Sequence, residues 1–95
     1  MKIIKDEILQ LDQVFSSKGK AKILEILAIN SELNISEIVK RSLLNHSNVV
    51  QHLNYLIGIN FIQEKKFGRV RIFRYKIENI KARALKKMIE IWRNI

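Results

Sequence analysis

The sequence predicts a small, mainly helical α+β domain with the order helix, helix, short strand, helix, helix, β-hairpin, helix. Apolar residues recur at spacings of three and four over most of the chain, which is the period of amphipathic helices. Residues 59–77, INFIQEKKFGRVRIFRYKI, are instead rich in β-branched and aromatic residues on both sides of a glycine, which is typical of a hairpin. Ninety-five residues correspond to one domain, 1–95.

Composition excludes several classes of protein. Hydrophobic residues make up 47% of the chain, which is typical of a globular domain rather than a disordered one. The apolar runs fall well short of the roughly 20 residues that span a bilayer, and residues 1–15 lack the apolar segment of a signal peptide. The absence of cysteine excludes disulfides and thiolate metal sites. We expect a cytoplasmic protein with no cofactor, no bound metal and no membrane partner.

The net charge of +9 is unevenly distributed. Residues 1–35 contain five lysines and five acids, whereas residues 36–95 contain thirteen lysines and arginines against four acids. The excess positive charge therefore lies in the second part of the chain. Such a basic surface is the electrostatic signature of a polyanion binder, although charge alone fits DNA, RNA or an acidic membrane.

Residues 2–15 predict an amphipathic first helix, and residues 18–30 predict a second. The apolar positions of the first helix are Ile4, Ile8, Leu11 and Phe15. Ser17 is the expected N-cap of the second helix. The apolar face of that helix comprises Ile23, Ile26, Leu27 and Ala28. Residues 30–34 are turn-like, with a short edge strand expected at Leu33 or Ile35.

Residues 36–58, SEIVKRSLLNHSNVVQHLNYLIG, predict two short helices joined by a tight turn at 42–46. Ser36 is the expected N-cap of the third helix, which buries Ile38 and Val39, and Gly58 is the expected left-handed C-cap of the fourth. The fourth helix, 47–57, buries a stripe that comprises Val49, Leu53 and Leu56.

The opposite side of the fourth helix is uncharged and rich in hydrogen-bonding groups. It carries Ser47, Asn48, Gln51, Asn54 and Tyr55. A solvated helix face normally carries lysine and glutamate in pairs, whereas asparagine and glutamine can bond bidentately to the edge of adenine. The pattern therefore indicates a recognition helix. The alternative is that these residues reflect an Asn-rich proteome and have no binding role.

The hairpin is the most basic segment. Its bend falls at residues 67–69, and Phe73, Tyr75 and Ile77 share the face that we expect to meet the core. Residues 65–76 hold six cations and no acid, namely Lys65, Lys66, Arg69, Arg71, Arg74 and Lys76. We expect these cations to contact phosphates or the minor groove of a duplex, although lysines also protect exposed sheet edges from aggregation.

The last helix, 78–94, has two adjacent apolar rows. The first comprises Ile77, Ile80, Ala84, Met88, Ile91 and Ile95, and the second comprises Ala82, Leu85, Ile89 and Trp92. One row is expected to cover the protomer and the other to meet a second copy, which predicts a two-fold homodimer built from residues 1–15 and 78–95. The expected interface residues are Ile4, Ile8, Leu11, Leu85, Met88, Ile89 and Trp92. The alternative is that the two terminal helices pack on each other within one chain.

The element order is that of a winged helix-turn-helix, and residues 36–56 resemble the motif of the ArsR-type family of small dimeric repressors. The motif, roughly SELAEELGLSQSTVSHHLKVL, aligns without a gap. The residues that match it are Ser36, Glu37, Leu44, Ser47, Val49, His52, Leu53 and Leu56, with Ile38 matching conservatively. The family's wing motif, GR…YYRL, resembles Gly68-Arg69 and Tyr75-Lys76-Ile77. The family's turn glycine falls at Leu43 here, and Ser42 occupies the apolar position before it.

This resemblance implies a dimeric, sequence-specific transcriptional regulator that binds double-stranded DNA. The fourth helix would enter the major groove, the basic wing 65–76 would contact the backbone or minor groove, and two helices about 34 Å apart would read an inverted repeat. The residues expected at the DNA are His46, Ser47, Asn48, Val50, Gln51, Asn54, Tyr55, Lys40, Arg41, Lys65, Lys66, Arg69, Arg71 and Arg74. The family's metal sensors use cysteines in the third helix, or histidine and acidic ligands in the last. This chain has no cysteine and no histidine in its last helix, so no metal response is expected.

No catalytic constellation is recognisable in the sequence, which lacks a glycine-rich phosphate loop, paired carboxylates and a nucleophile-base pair. The two histidines, His46 and His52, lack a third ligand and helical i, i+4 spacing for a metal, and His52 is expected to be structural. We therefore expect no enzyme. Two alternatives to a sequence-specific regulator are an architectural, chromatin-type DNA binder and a winged-helix protein-interaction module. RNA binding is disfavoured because exposed aromatics that stack on unpaired bases are few.

Overall fold

The computed structural model describes residues 9–95, so Ile4, Ile8 and much of the predicted helix 2–15 lie outside the described residues. The elements are α1 (Leu11–Val14), α2 (Lys18–Asn30), β1 (Glu32–Asn34), α3 (Ile35–Ser42), α4 (His46–Gly58), β2 (Ile62–Phe67), β3 (Val70–Tyr75) and α5 (Ile80–Arg93). This order confirms the prediction of a mainly helical α+β domain.

Four of the helices begin at a side chain that accepts a backbone N–H from the first turn, which satisfies one of the unpaired donors there. The Oγ of Ser17 accepts from the N–H of Lys20 at 3.1 Å, as predicted for α2. The prediction of Ser36 as the cap of α3 is wrong, because the Oδ1 of Asn34 accepts from the N–H of Glu37 at 2.9 Å. Asn45 and Asn79 cap α4 and α5 in the same way.

The end of α4 also differs from the prediction. Gly58 belongs to the helix, and the left-handed residue that follows is Asn60, with a φ of 67°. Asparagine tolerates this region of backbone space better than most residues because its short amide hydrogen-bonds locally. The Nζ of Lys76 donates to the Oδ1 of Asn60 at 2.5 Å and fixes the amide there.

The sheet is antiparallel, with the strand order β1-β3-β2. Leu33 pairs with Phe73, which confirms the short edge strand, while Ile35 begins α3 instead. Phe67 pairs with Val70, so the hairpin turn consists of Gly68 and Arg69 alone. Gly68 has a φ of 60°, which suits the first central position of a type II′ turn. This tight turn lets the two strands project as a wing.

The core lies between the helices and one face of the sheet. Leu24 and Leu27 of α2 and Phe73 of β3 are fully buried, and Tyr75 is 2% exposed. The Oη of Tyr75 donates to the carbonyl oxygen of Ala82 at 2.6 Å, so the end of β3 is joined to the first turn of α5. The assignment of Ile77 to the core is wrong. Its side chain is 50% exposed because β3 ends at Tyr75 and the chain turns before α5.

Candidate nucleic-acid interface

In the turn between α3 and α4, Ser42 stands where the family motif has an apolar residue. Leu43 stands where the motif has a glycine. Leu43 has a φ of 60°, which is a left-handed conformation that is unfavourable for a residue with a Cβ. Its side chain is 84% exposed. The buried hydroxyl of Ser42 donates to the carbonyl of Val39 at 3.2 Å and accepts from the N–H of Leu44 at 3.3 Å. The hydrogen bonds of Ser42 and the left-handed Leu43 therefore produce the tight helix-turn-helix connection without a glycine.

Helix α4 buries one side and exposes the other, as its periodicity predicted. Val49, Leu53 and Leu56 are buried, whereas the exposed side presents His46, Ser47, Asn48, Gln51 and Asn54. The hydroxyl of Ser47 donates to the Oδ1 of Asn45 at 3.3 Å. Within residues 9–95 the side-chain amides of Asn48, Gln51 and Asn54 make no hydrogen bond. Their donors and acceptors are therefore free to meet a partner.

Five of the six other asparagines have structural roles, and this argues against composition alone as the explanation of the asparagines on α4. Asn34, Asn45 and Asn79 cap helices, and Asn60 occupies a left-handed position. The Nδ2 of Asn30 donates to the carbonyl of Ile26 at 2.8 Å. Asn48 and Asn54 have no comparable role among the described residues. Their presence on the exposed side of α4 favours a binding role.

Tyr55 does not share the exposed side of α4. It is half-buried, and its ring lies beneath the ammonium of Lys20, whose Nζ is 3.5 Å from the ring centroid. The same Nζ donates to the Oγ of Ser16 at 2.8 Å and to the carbonyl of Gln13 at 3.3 Å. Lys20, only 9% exposed, thus ties α4 to the end of α1. Sequence reasoning missed this residue, although Lys20 lies three and four positions before the buried Ile23 and Leu24.

His52 lies against α2 rather than in a ligand cluster. A Cβ at Gly19 would lie 2.8 Å from the Nε2 of His52, so the lack of a side chain at residue 19 lets the imidazole pack directly against α2. Burial lowers the pKa of His52, and the nearby charge of Lys20 lowers it further. His52 is therefore a neutral packing residue between α2 and α4 at neutral pH.

Three of the wing's six cations are paired with carboxylates that lie outside residues 65–76. The Nε of Arg71 donates to Glu64 at 2.7 Å, and the Nη2 of Arg74 donates to Glu78 at 2.6 Å. The hydrogen bond from Arg74 lowers the pKa of Glu78 to about 2, with a further contribution from its own backbone N–H. Lys65 is 3.4 Å from Glu32 of the edge strand. The expectation of six uncompensated cations is therefore wrong.

Three of the cations expected at the DNA keep their charge unpaired within the described residues, namely Lys40, at the end of α3, and Lys66 and Arg69, at the end of the wing. All three are exposed, and none has a salt-bridge partner among residues 9–95. Arg41 is held more loosely than the wing arginines, with its Nε 3.4 Å from Glu37 and its Nη1 3.0 Å from the Oδ1 of Asn30. Among the cations expected at the DNA, free charge thus lies at the end of α3 and at the wing tip.

The two apolar rows of α5 have separate environments. Ala82, Leu85 and Ile89 are buried against the helical body. The expected interface residues Leu85 and Ile89 therefore belong to the protomer's own core, whereas Leu11, Met88 and Trp92 are exposed. Met88 belongs to the first row, which is also exposed at Ile80, Ile91 and Ile95. Trp92, at the end of the second row, adds to this surface, and the name exposed row includes it below. Two apolar grooves flank Met88, one of about 280 Å³ lined by Leu11 and Leu85 and one of about 650 Å³ lined by Phe15 and Trp92.

Two kinds of feature are absent from the part of the chain that the structure describes. No helix in residues 9–95 combines the length and hydropathy needed to cross a bilayer. No group of three or more histidine, cysteine, aspartate or glutamate side chains comes together there as a metal site.

Comparison with solved structures identifies the fold. HlyU from Vibrio cholerae is 20% identical, with 86% of each chain covered and a TM-score of 0.74. The transcriptional repressor PagR of Bacillus anthracis is 22% identical, with 81% of this chain and 85% of that chain covered and a TM-score of 0.68. An ArsR family transcriptional regulator is 20% identical over 100% of this chain and 99% of that chain, also with a TM-score of 0.68. The chain has the winged helix-turn-helix fold. No protein-family model and no curated protein matches it.

In the terms of that fold, α3 and α4 are the helix-turn-helix and β2 and β3 are the wing. The expected resemblance to ArsR-type regulators is confirmed in the architecture. The residues that this winged helix brings to its surface, rather than the fold alone, must carry any functional conclusion.

Proposed function

We propose that this protein is a dimeric, sequence-specific regulator of transcription that binds double-stranded DNA. The observation that carries the proposal is the exposed side of α4, where Asn48, Gln51 and Asn54 present amide groups without a partner among the described residues. Solved winged helices described as a transcriptional repressor and as an ArsR family transcriptional regulator support it.

The dimensions of α4 suit the major groove. Its 13 residues make a rod about 20 Å long and about 10–12 Å wide, which fits a groove of about 12 Å. Gln51 and Asn48 then bond bidentately to adenine edges, and Asn54 lies one turn further along. Val50 is half-exposed beside them and contacts a thymine methyl, while His46 and Ser47 meet the backbone at the start of the helix.

Three cations that are unpaired among residues 9–95 and the loosely paired Arg41 hold this helix in register. Lys40 and Arg41 lie at the end of α3, and Lys66 and Arg69 lie on the wing. Together they contact phosphates on either side of the groove that α4 occupies. Lys65, Arg71 and Arg74 take a smaller part, because each first has to leave its carboxylate partner.

The exposed row of α5 supplies the dimer interface. Ile80, Met88 and Trp92 form an exposed apolar surface of the kind that marks an interface, and Met88 and Trp92 also line the grooves. A second copy packed on this row with two-fold symmetry buries it and presents two α4 helices to one face of a duplex. Such a dimer reads an inverted repeat with half-sites about 34 Å apart.

A gel-shift series tests base reading. A duplex selected from random sequence by the wild-type protein is compared with a scrambled duplex of the same composition. Gln51→Ala should weaken binding to the selected duplex by about 1–3 kcal/mol and leave binding to the scrambled duplex almost unchanged. Asn94→Ala, an exposed amide at the end of α5, is the matched control and should change neither. Equal losses on both duplexes for Gln51→Ala would remove it from base reading.

The same duplexes separate the proposed function from its alternatives. Arg69→Ala should weaken binding to both duplexes and reduce the dependence of log K on log salt by about one phosphate contact. Equal affinity of the wild-type protein for both duplexes would identify an architectural binder instead. Failure of the wild-type protein to bind any duplex at low salt would contradict DNA binding altogether.

Sedimentation equilibrium tests the dimer. The wild-type protein should sediment as a dimer, and Met88→Glu combined with Trp92→Glu should yield a folded monomer, because both side chains are exposed in the protomer. Ile29→Glu, a partly exposed apolar residue of α2 outside that row, is the control and should sediment as the dimer. A wild-type monomer at the concentrations used for DNA binding would contradict the dimer.

A further inference from the structure

The tip of the wing is apolar. Phe67 is 63% exposed and Val70 is 49% exposed, although each lies in a regular strand. The two residues are direct cross-strand partners, so their side chains lie next to each other on one face of the hairpin. Only the two-residue turn of Gly68 and Arg69 lies beyond them. The wing therefore ends in a small projecting pair of apolar side chains.

Free positive charge frames this pair. Lys66 precedes Phe67 and Arg69 precedes Val70, and neither cation has a salt-bridge partner among residues 9–95. Further down the wing, the cations of the same hairpin are paired with carboxylates. Charge complementarity thus favours a polyanionic partner at the tip rather than along the whole wing.

The small size of the apolar pair favours a nucleic acid over a protein as its partner. A stable protein interface buries about 800 Å² on each partner, whereas one phenylalanine contributes about 150–250 Å². Two side chains at the end of a narrow hairpin are too few for such an interface. They are sufficient for a wedge, since architectural proteins open a base step with one or two apolar side chains.

We propose that Phe67, supported by Val70, is a wedge that the wing inserts into the minor groove between two base pairs, with Lys66 and Arg69 on the flanking phosphates. This inference rests on the proposed DNA binding and adds a deformation of the DNA to it. Insertion unstacks one base step and bends the duplex toward its major groove by about 20–90°. Sites with a flexible pyrimidine–purine step under the wing, such as TA or CA, are therefore bound best.

The bend is measured by fluorescence transfer between dyes on the two ends of a 30-base-pair duplex selected by the full-length wild-type protein. Binding should raise the transfer, and 2-aminopurine placed at the step under the wing should brighten as it loses its stacking neighbour. Phe67→Ala should lower affinity by roughly 5- to 100-fold and remove both signals. Phe67→Leu, which keeps an apolar wedge, should retain the bend in part.

Two controls assign the effect to the wedge. Ile29→Ala removes a partly exposed apolar side chain from α2 and should change neither bend nor affinity. Phe67→Ala should leave the slope of log K against log salt unchanged, whereas Arg69→Ala should flatten it. A wild-type complex that is straight, or a Phe67→Ala complex bent like the wild type, would overturn the wedge and leave the proposed DNA binding intact. No binding of any duplex by the wild-type protein would overturn both.

Discussion

We expect the orientation of α4 to depend on one buried lysine, and Lys20→Met tests this expectation. The Nζ of Lys20 lies 3.5 Å from the centroid of the Tyr55 ring and donates to the Oγ of Ser16 and the carbonyl of Gln13. Methionine has a similar length and keeps the packing of the chain. The substitution therefore removes the charge and its three contacts with little change of volume.

The expected loss of stability in Lys20→Met follows from the contributions of the individual contacts. A cation over an aromatic ring at a desolvated site contributes about 2 kcal/mol, and each hydrogen bond contributes about 1 kcal/mol after exchange with water. Methionine avoids the cost of removing an ammonium group from water, and this offsets about 1–2 kcal/mol of the loss. We expect Lys20→Met to lower the free energy of unfolding by about 2 kcal/mol, or roughly 8–16 °C in Tm.

Urea unfolding at one fixed protein concentration measures this loss, since the stability of an oligomer depends on concentration. A double-mutant cycle of Lys20→Met with Tyr55→Leu should give a coupling energy of about 1–2 kcal/mol. Lys66→Met is the control, because Lys66 is exposed and should change stability by less than about 0.5 kcal/mol.

The DNA affinity of the same variants distinguishes positioning from direct contact. Lys20 is nearly inaccessible, so Lys20→Met should weaken duplex binding through the misplaced α4 and leave the salt dependence unchanged. A coupling energy near zero would refute the stacking of Lys20 on Tyr55. A salt slope reduced by one contact would show that Lys20 meets a phosphate and would refute the positioning role.

Three further outcomes are expected. Leu43→Gly should raise the free energy of unfolding by up to about 1 kcal/mol in thermal melts, because it relieves the left-handed strain at φ 60°, whereas Leu43→Ala should not. The pKa of His52 is lowered in the folded state, so the unfolded chain binds more protons as pH falls through its ordinary value of 6.5. Stability should therefore decline below that pH, and His52→Gln should reduce the decline in urea titrations at pH 7.5 and 5.5. Tyr75→Phe should cost about 1–1.5 kcal/mol in urea, because it deletes the buried 2.6 Å hydrogen bond to Ala82.

The order of the elements could be predicted because helical and strand periodicities are local properties of a sequence. The caps were harder to predict, since several polar residues stand near each helix start. Asn34 rather than Ser36 caps α3 because the helix begins directly after the edge strand. Likewise, the left-handed residue after α4 is Asn60 and not Gly58, and local composition favours glycine at such a site.

The exposed side of α4 could be predicted for residues whose direction is set by the helical step of about 100° per residue alone. Asn48 and Gln51 lie opposite the buried stripe, so their exposure follows from a 100° step per residue. Tyr55 lies at the edge of that stripe, where its position depends on a neighbour from another helix. That neighbour is Lys20, 35 positions earlier in the chain, and no local pattern reveals the contact.

The charge of the wing could not be predicted from its own sequence window. The partners of Lys65, Arg71 and Arg74 are Glu32, Glu64 and Glu78, which all lie outside residues 65–76. Glu64 comes opposite the wing's return strand only through the hairpin register, and Glu32 only through the pairing of β1 with β3. Net charge in a window is therefore a poor guide to free charge when a sheet brings distant residues together.

The segment between the wing and α5 determines how the proposed dimer presents its two recognition helices. Tyr75 ends β3 and bonds to Ala82 in the first turn of α5, while the Nδ2 of Asn79 donates to the carbonyl of Asn60 at 3.0 Å. These two bonds fix the direction in which α5 leaves the body, directly beside the end of α4. The exposed row of α5 is the surface proposed to meet the second copy. A change of direction here would therefore alter the separation of the two α4 helices, and thus the half-site spacing, without altering any residue that touches DNA.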